Sequence, residues 1–131
     1  MFSSIHADDY TSWKGPILMN SYSLPTPDSP YGAVKVYMES LGRFYANKGV
    51  EVVCIRLGGV NADDKKHLED EPGYEKVYLS HRDLTDLIIR CIEIDKIPGN
   101  YSLLYGISNN TNRYHDFSNS LGWAPLSNAT D

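Results

Sequence analysis

Ser29-Pro-Tyr-Gly-Ala-Val-Lys-Val-Tyr-Met-Glu-Ser-Leu-Gly-Arg-Phe-Tyr-Ala-Asn-Lys-Gly-Val-Glu-Val-Val-Cys-Ile-Arg-Leu57 reads as a capped helix running into a buried strand. Ser29 can accept a hydrogen bond from the first helical turn, and Pro30 suits the first helical position. Ala33, Val34, Tyr37, Met38, Leu41, Phe44 and Tyr45 recur at helical spacing and Gly49 offers a stop, which predicts a helix over about 30–48. Glu51 to Leu57 is a β-branched, apolar run, as in a strand covered on both faces. Further along, Ser80-His-Arg-Asp83 has the capping-box pattern. The helix it opens is expected to bury Leu84, Leu87, Ile88, Cys91 and Ile92 and to end near Pro98-Gly99. Tyr101-Ser-Leu-Leu-Tyr105 reads as a second full strand, and a short helix is expected near Asp116–Leu121.

This alternation of helices and strands implies parallel strands joined by right-handed crossovers, within a single domain over residues 1–131. Two full strands do not make a doubly wound sheet, because parallel strands need cover on both faces and neighbours on both edges. The expectation is therefore partner strands that the chain does not encode, or a rearranged small fold. Residues 5–30 read as a long irregular surface segment. Residues 58–76, with the charge run Asp63-Asp-Lys-Lys66, read as a solvated loop excursion.

The formal charge of −5 lacks the basic footprint of a nucleic-acid binder. No apolar run approaches the roughly 20 residues a bilayer requires, and the N-terminus has neither the basic region nor the long apolar core of a signal peptide. No membrane or nucleic-acid partner is expected, and the expected location is cytoplasmic. Cys54 and Cys91 each lie in an apolar stretch, as buried free thiols do. His67, His81 and His115 show no metal-ligand spacing, so no metal is assigned.

The spacing Tyr-x-x-x-Lys occurs at Tyr10/Lys14 and at Tyr31/Lys35. Lys14 is followed at once by Gly15-Pro16, which argues against a helix there. Only Tyr31 and Lys35 are therefore expected on one helix face. An ammonium beside a phenol favours the phenolate, so such a pair can act as a general base near neutral pH.

Tyr31-Gly-Ala-Val-Lys35 followed by Val53-Cys-Ile-Arg-Leu-Gly58 resembles the extended short-chain dehydrogenase/reductase superfamily, the NAD-dependent epimerase/dehydratase family. Phe2-Ser3-Ser4 looks like the strand end that delivers that family's catalytic serine. Leu79-Ser-His-Arg-Asp83 looks like its helix-opening motif, and Leu121-Gly-Trp-Ala-Pro125 like its C-terminal signature. The pattern is most similar to uronate dehydrogenases and their sugar-oxidising relatives, through Ser3-Ser4-Ile5-His6, Leu79-Ser80-His81 and Tyr105-Gly-Ile-Ser108. The resemblance covers nearly the whole chain, in order.

This resemblance implies an α/β fold, the C-terminal part of a doubly wound Rossmann-type parallel sheet with the N-terminal glycine-rich βαβ half absent. It implies an NAD-dependent sugar oxidoreductase, with NAD favoured over NADP. Tyr31 would be the general base. Lys35 would assist it and hold the nicotinamide ribose, and Ser4 would hydrogen-bond the reacting oxygen, with Ser3 as the fallback. Tyr31, Lys35 and Leu57 would contact the cofactor; Ser3, His6 and Gly59 would contact the substrate.

The chain departs from the family pattern at several positions. Ile5 stands where a substrate-binding asparagine is expected, and Gly59 where a serine is expected. Between Val60 and Tyr78 there is no arginine to grip a sugar-acid carboxylate, only Lys65, Lys66 and Lys76. A lysine does not replace a bidentate guanidinium, so a neutral or phosphorylated sugar fits as well as a uronate. The Gly-x-x-Gly-x-x-Gly fingerprint that seats the pyrophosphate on a helix N-terminus has no counterpart. The isolated chain is therefore not expected to bind NAD well. A nucleotide-sugar epimerase or dehydratase, and a non-catalytic fragment or partner subunit, stand as alternatives. The expected partners are a sugar or nucleotide-sugar and either a homodimer mate or a complementary N-terminal half. Tyr37, Phe44 and Tyr45 would suit a dimer interface and would suit a core equally well.

Overall fold

Three short parallel strands form the centre of the protein, β1 (Phe2–Ser4), β2 (Val52–Leu57) and β3 (Tyr101–Gly106), in the order β1-β2-β3. The computed structural model describes residues 1–15 and 17–131, so the expectation resting on Pro16 lies outside the described residues. Ser4 pairs with Leu57, and Leu57 with Gly106, so the carboxyl ends of all three strands finish at one level. Two helices, α1 (Pro30–Ala46) and α2 (His81–Glu93), cover the two faces. The fold is α/β with a parallel sheet, as the alternation of elements predicts.

Both helix starts follow from their caps. Ser29 Oγ accepts the Gly32 amide at 3.0 Å, with Pro30 at the first helical position, and Ser80 Oγ accepts the Asp83 amide at 3.0 Å. The strands then sort their side chains by alternation. Cys54 and Arg56 meet α1, at Gly42 and Glu39 respectively. Ile55 and Leu104 pack with Leu79, with Leu87 of α2, and with Leu121 and Trp123 of the C-terminal segment.

Three expectations are corrected, and one question the sequence left open is decided. The apolar row of α1, which suited an interface and a core equally, does not face the sheet: Val34, Tyr37, Leu41, Phe44 and Tyr45 are exposed, while Gly32, Glu39, Gly42 and Ala46 are buried. Small residues let the helix approach closely, and the one carboxylate on that side meets an arginine, so the inward face reads as polar in the sequence. On α2, Ile92 is 77% exposed: it lines an open groove with Met1, Phe2 and Val53, beside β1, which is an edge strand of the sheet among the described residues.

The short helix at Asp116–Leu121 is absent. Asp116 Oδ1 accepts the Ser118 amide at 2.9 Å, and Asn119 Oδ1 accepts those of Leu121 and Trp123 at 2.9 and 3.2 Å. Side chains of this type offer the backbone an alternative to helical hydrogen bonds. The segment 5–30 is not merely superficial either: Ile5, Ala7, Asp8 and Met19 are buried, and Asp8 and Met19 bridge to Thr26 and His115. Within the charge run, Asp64 accepts both the Tyr78 hydroxyl at 2.8 Å and the His81 amide at the start of α2 at 3.0 Å.

Cys54 is buried and Cys91 half-buried, both as free thiols. Among the described residues no helix is long and apolar enough to cross a membrane.

Candidate active site

The carboxyl ends of β1 and β2 open into a cleft of about 390 Å³. Ligands of open parallel sheets bind at this end of the strands. Ser3, Ser4, His6, Tyr31, Leu57 and Gly59, six of the seven residues singled out from the sequence, line it. Lys35 stands one helical turn beyond Tyr31, with its ammonium 5.5 Å from the centre of the Tyr31 ring.

The two serines are placed differently. Ser4 is the last residue of β1, and its Oγ accepts the His6 amide at 3.1 Å. Its hydroxyl proton is left to donate into the cleft. Ser3 instead donates its hydroxyl to buried Glu39 Oε2 at 2.5 Å. Lys35 Nζ donates to the carbonyl of Phe2 at 3.1 Å, which ties α1 to β1 and leaves further N–H groups for a ligand.

Gly32 brings Tyr31 and Ser4 to the same cleft. A Cβ at this position would overlap the backbone carbonyl of His6, so only glycine lets the turn after β1 lie against the first turn of α1. Gly32→Ala is expected to destabilise the protein by about 1–3 kcal/mol, the usual cost of overpacking, despite alanine's better helix propensity. Urea unfolding measures this; an unchanged or raised midpoint would refute the close-approach argument.

His6 is held from the side. Its Nδ1 lies 2.7 Å from Asp28 Oδ2, and its ring meets Tyr31 edge-on at 6.0 Å and Tyr10 at 5.9 Å. Asp28 also accepts the Ser29 hydroxyl at 2.9 Å, and its amide donates to the His6 carbonyl at 3.3 Å. With a carboxylate at Nδ1, the neutral imidazole carries its proton there and turns Nε2 outward as an acceptor.

Asp28, Tyr10, Glu71 and Tyr74 escaped the sequence reading. Asp28 was legible only as part of a helix-start signal, and Tyr10 only as half of a discarded Tyr-x-x-x-Lys pair. Glu71 and Tyr74 come from the loop after β2. Tyr74 explains Gly59, since a Cβ there would overlap its ring. The tyrosine therefore fills space that a side chain at position 59 would need, and its hydroxyl accepts from Asn61 Nδ2 at 2.9 Å. Burial first, and nearby carboxylates after it, push the Tyr10 phenol above its ordinary range; burial does the same to Tyr74, with Glu71 and Asp64 adding to it. Both stay protonated as hydroxyl groups at neutral pH.

No protein-family model matches the chain. It is 32% identical over 117 residues to an NAD-dependent glucose-6-phosphate dehydrogenase of Haloferax volcanii, a match covering 86% of this chain and 43% of that protein. It is 30% identical over 110 residues to a uronate dehydrogenase of Pseudomonas syringae, covering 82% of this chain and 38% of that protein. Among solved structures, the glucuronic acid dehydrogenase of Chromohalobacter salexigens superposes with a TM-score of 0.82 at 27% identity, over 98% of this chain and 46% of that one. The chain thus spans about half the length, or less, of these relatives, and it matches their C-terminal portion.

Proposed function

From its homology to NAD-dependent sugar dehydrogenases, we propose that this chain carries the catalytic portion of an NAD-dependent sugar oxidoreductase, with Ser4, Tyr31 and Lys35 as its catalytic residues. The observation that carries this reading is the convergence of Ser4, His6 and Tyr31 on one cleft at the strand ends, with the Lys35 ammonium against the Tyr31 ring. A substrate hydroxyl in the cleft is held by the Ser4 hydroxyl and by Tyr31 Oη. Tyr31, as the general base, takes the hydroxyl proton as the carbon becomes a carbonyl. His6, steadied by Asp28, accepts a neighbouring hydroxyl through Nε2.

NAD, when bound, supplies the acceptor for the hydride that leaves the same carbon. The donor set fits the nicotinamide–ribose end of that cofactor: Tyr31 lines the cleft, the spare N–H groups of Lys35 stand one helical turn behind it on α1, and Leu57 offers an apolar wall. The sequence holds no glycine-rich pyrophosphate fingerprint, so this end is what the chain contributes. The outer edge of β1, unpaired among the described residues, is where a complementary half would join the sheet. The exposed row Val34, Tyr37, Leu41, Phe44 and Tyr45 is where a homodimer would form.

The test is NADH production from a panel of sugars, paired with calorimetric titration of NAD, on this chain and on any longer form that proves active. Tyr31→Phe should lower turnover at least about 100-fold, the scale of a lost general base. Turnover retained in Tyr31→Phe would refute the mechanism.

A further inference from the structure

The one formally charged side chain in the wall of the cleft is a carboxylate, with the Lys35 ammonium set back behind the Tyr31 ring. Glu71 lines it directly, and Asp28 stands at its rim on His6. No lysine or arginine lines it among the described residues. The three lysines of the loop after β2 are engaged elsewhere: Lys65 lies 3.8 Å from Asp63, Lys66 donates to the Asp131 carbonyl at 2.5 Å, and the Lys76 ammonium sits 5.4 Å from the centre of the Tyr114 ring. The remaining polar groups of the wall are hydroxyls, from Ser4, Tyr10, Tyr31 and Tyr74, and the His6 imidazole.

Glu71 is fixed in this wall by its backbone. Its amide donates to the Leu68 carbonyl at 3.2 Å, and its carbonyl accepts the Tyr74 amide at 3.1 Å. Its charge reaches the cleft, for after burial it is one of the groups that raise the phenols of both Tyr10 and Tyr74.

We propose that the cleft selects an uncharged polyhydroxyl substrate, a neutral sugar, and that Glu71 is the residue that turns away sugar acids and sugar phosphates. This rests on the reading of the cleft as a sugar site. Hydroxyl donors and an imidazole acceptor satisfy neutral hydroxyl groups. A carboxylate or phosphate would meet Glu71 with no cation in the wall itself to offset it, since Lys35 stands a helical turn behind Tyr31 and is tied to the Phe2 carbonyl, and a like charge costs binding even at high effective dielectric.

The experiment is ligand binding to the full chain by NMR chemical-shift titration, with D-glucose, D-glucuronate and glucose 6-phosphate as probes and the His6 and Tyr31 resonances reporting the cleft. The neutral sugar should bind roughly three- to tenfold more tightly than either anion at low salt, with the gap closing as ionic strength rises. Glu71→Gln should narrow the gap by improving the anions relative to the neutral sugar. An anion that binds as well as glucose or better, or a gap indifferent to both salt and Glu71→Gln, overturns the charge selection and leaves the proposed function standing. If no probe perturbs His6 or Tyr31, the sugar-site reading falls and the selection falls with it.

Discussion

Replacing Arg56 with methionine is expected to cost about 3–5 kcal/mol of stability, the penalty for removing one partner of a buried ion cluster. Arg56 is 1% exposed and sits between two buried carboxylates. Its Nε and Nη2 grip Glu39 at 2.9 and 2.8 Å, and its Nη1 reaches Asp8 at 2.9 Å and the Tyr105 hydroxyl at 3.1 Å. The carboxylates keep other donors, since Ser3 hydrogen-bonds Glu39 and the Tyr105 hydroxyl hydrogen-bonds Asp8. Neither hydroxyl supplies charge, so without the guanidinium two buried carboxylates are left together with no cation between them. The loss would be a large share of the roughly 5–15 kcal/mol available to an ordinary domain.

Urea unfolding at neutral pH measures it. Adding Asp8→Asn and Glu39→Gln to Arg56→Met should restore much of the loss, because neutral groups replace the stranded charges. A loss below about 1 kcal/mol in the single variant would show that the cluster relaxes to solvent. The consequence reaches the cleft: Ser3 and Asp8 flank the turn Ser4–Ala7, so the cluster holds the strand end that presents Ser4 and His6.

The second large effect is a pH dependence centred on His115. This side chain is fully buried, its ring 4.6 Å from that of Tyr105 and 5.3 Å from that of Tyr10, and among the described residues neither ring nitrogen has a hydrogen-bond partner. Burial first, and the Arg56 charge second, hold it down to about 3. An unfolded histidine titrates near 6.5. Above that value both states are neutral and the group has no effect on the equilibrium. Below it the unfolded chain takes up a proton that the folded chain refuses, so stability falls by up to about 1.4 kcal/mol per pH unit until pH reaches about 3.

Stability curves of the wild type and His115→Leu, measured from pH 7.5 to 4.5, isolate this contribution from the carboxylates. The wild type should lose up to about 1.4 kcal/mol per unit more than the variant below pH 6.5. Parallel curves would mean that the buried imidazole becomes protonated in the folded state.

Much of the cleft was legible in the sequence because its residues sit at ends of elements that announce themselves locally. The Ser29-Pro30 start fixes where α1 begins and so where Tyr31 and Lys35 stand on it. The apolar run Val52–Leu57 fixes β2 and so places Leu57 and Gly59 at its carboxyl end. Asp28, Tyr10, Glu71 and Tyr74 were not legible. They reach the cleft from a turn and two loops whose paths are set by contacts such as the close approach of Gly59 to Tyr74. The helix expected near Asp116 failed because Asp116 and Asn119 spend their side chains on backbone amides, a competition that periodicity does not register.

By itself the sequence determined which segments are helix and strand at the centre of the fold, where both long helices start, and that the strands run parallel. Caps, β-branched runs and the order of elements act over a few residues, and the chain cannot evade them. Only the tertiary structure decided which face of α1 turns inward. The apolar row Val34, Tyr37, Leu41, Phe44 and Tyr45 lost that place to Gly32, Glu39, Gly42 and Ala46. A close approach of backbones and a buried ion cluster bind that face to the sheet more specifically than apolar surface does. Arg56 likewise finds its carboxylates 17 and 48 residues away along the chain, a separation over which no local pattern carries information.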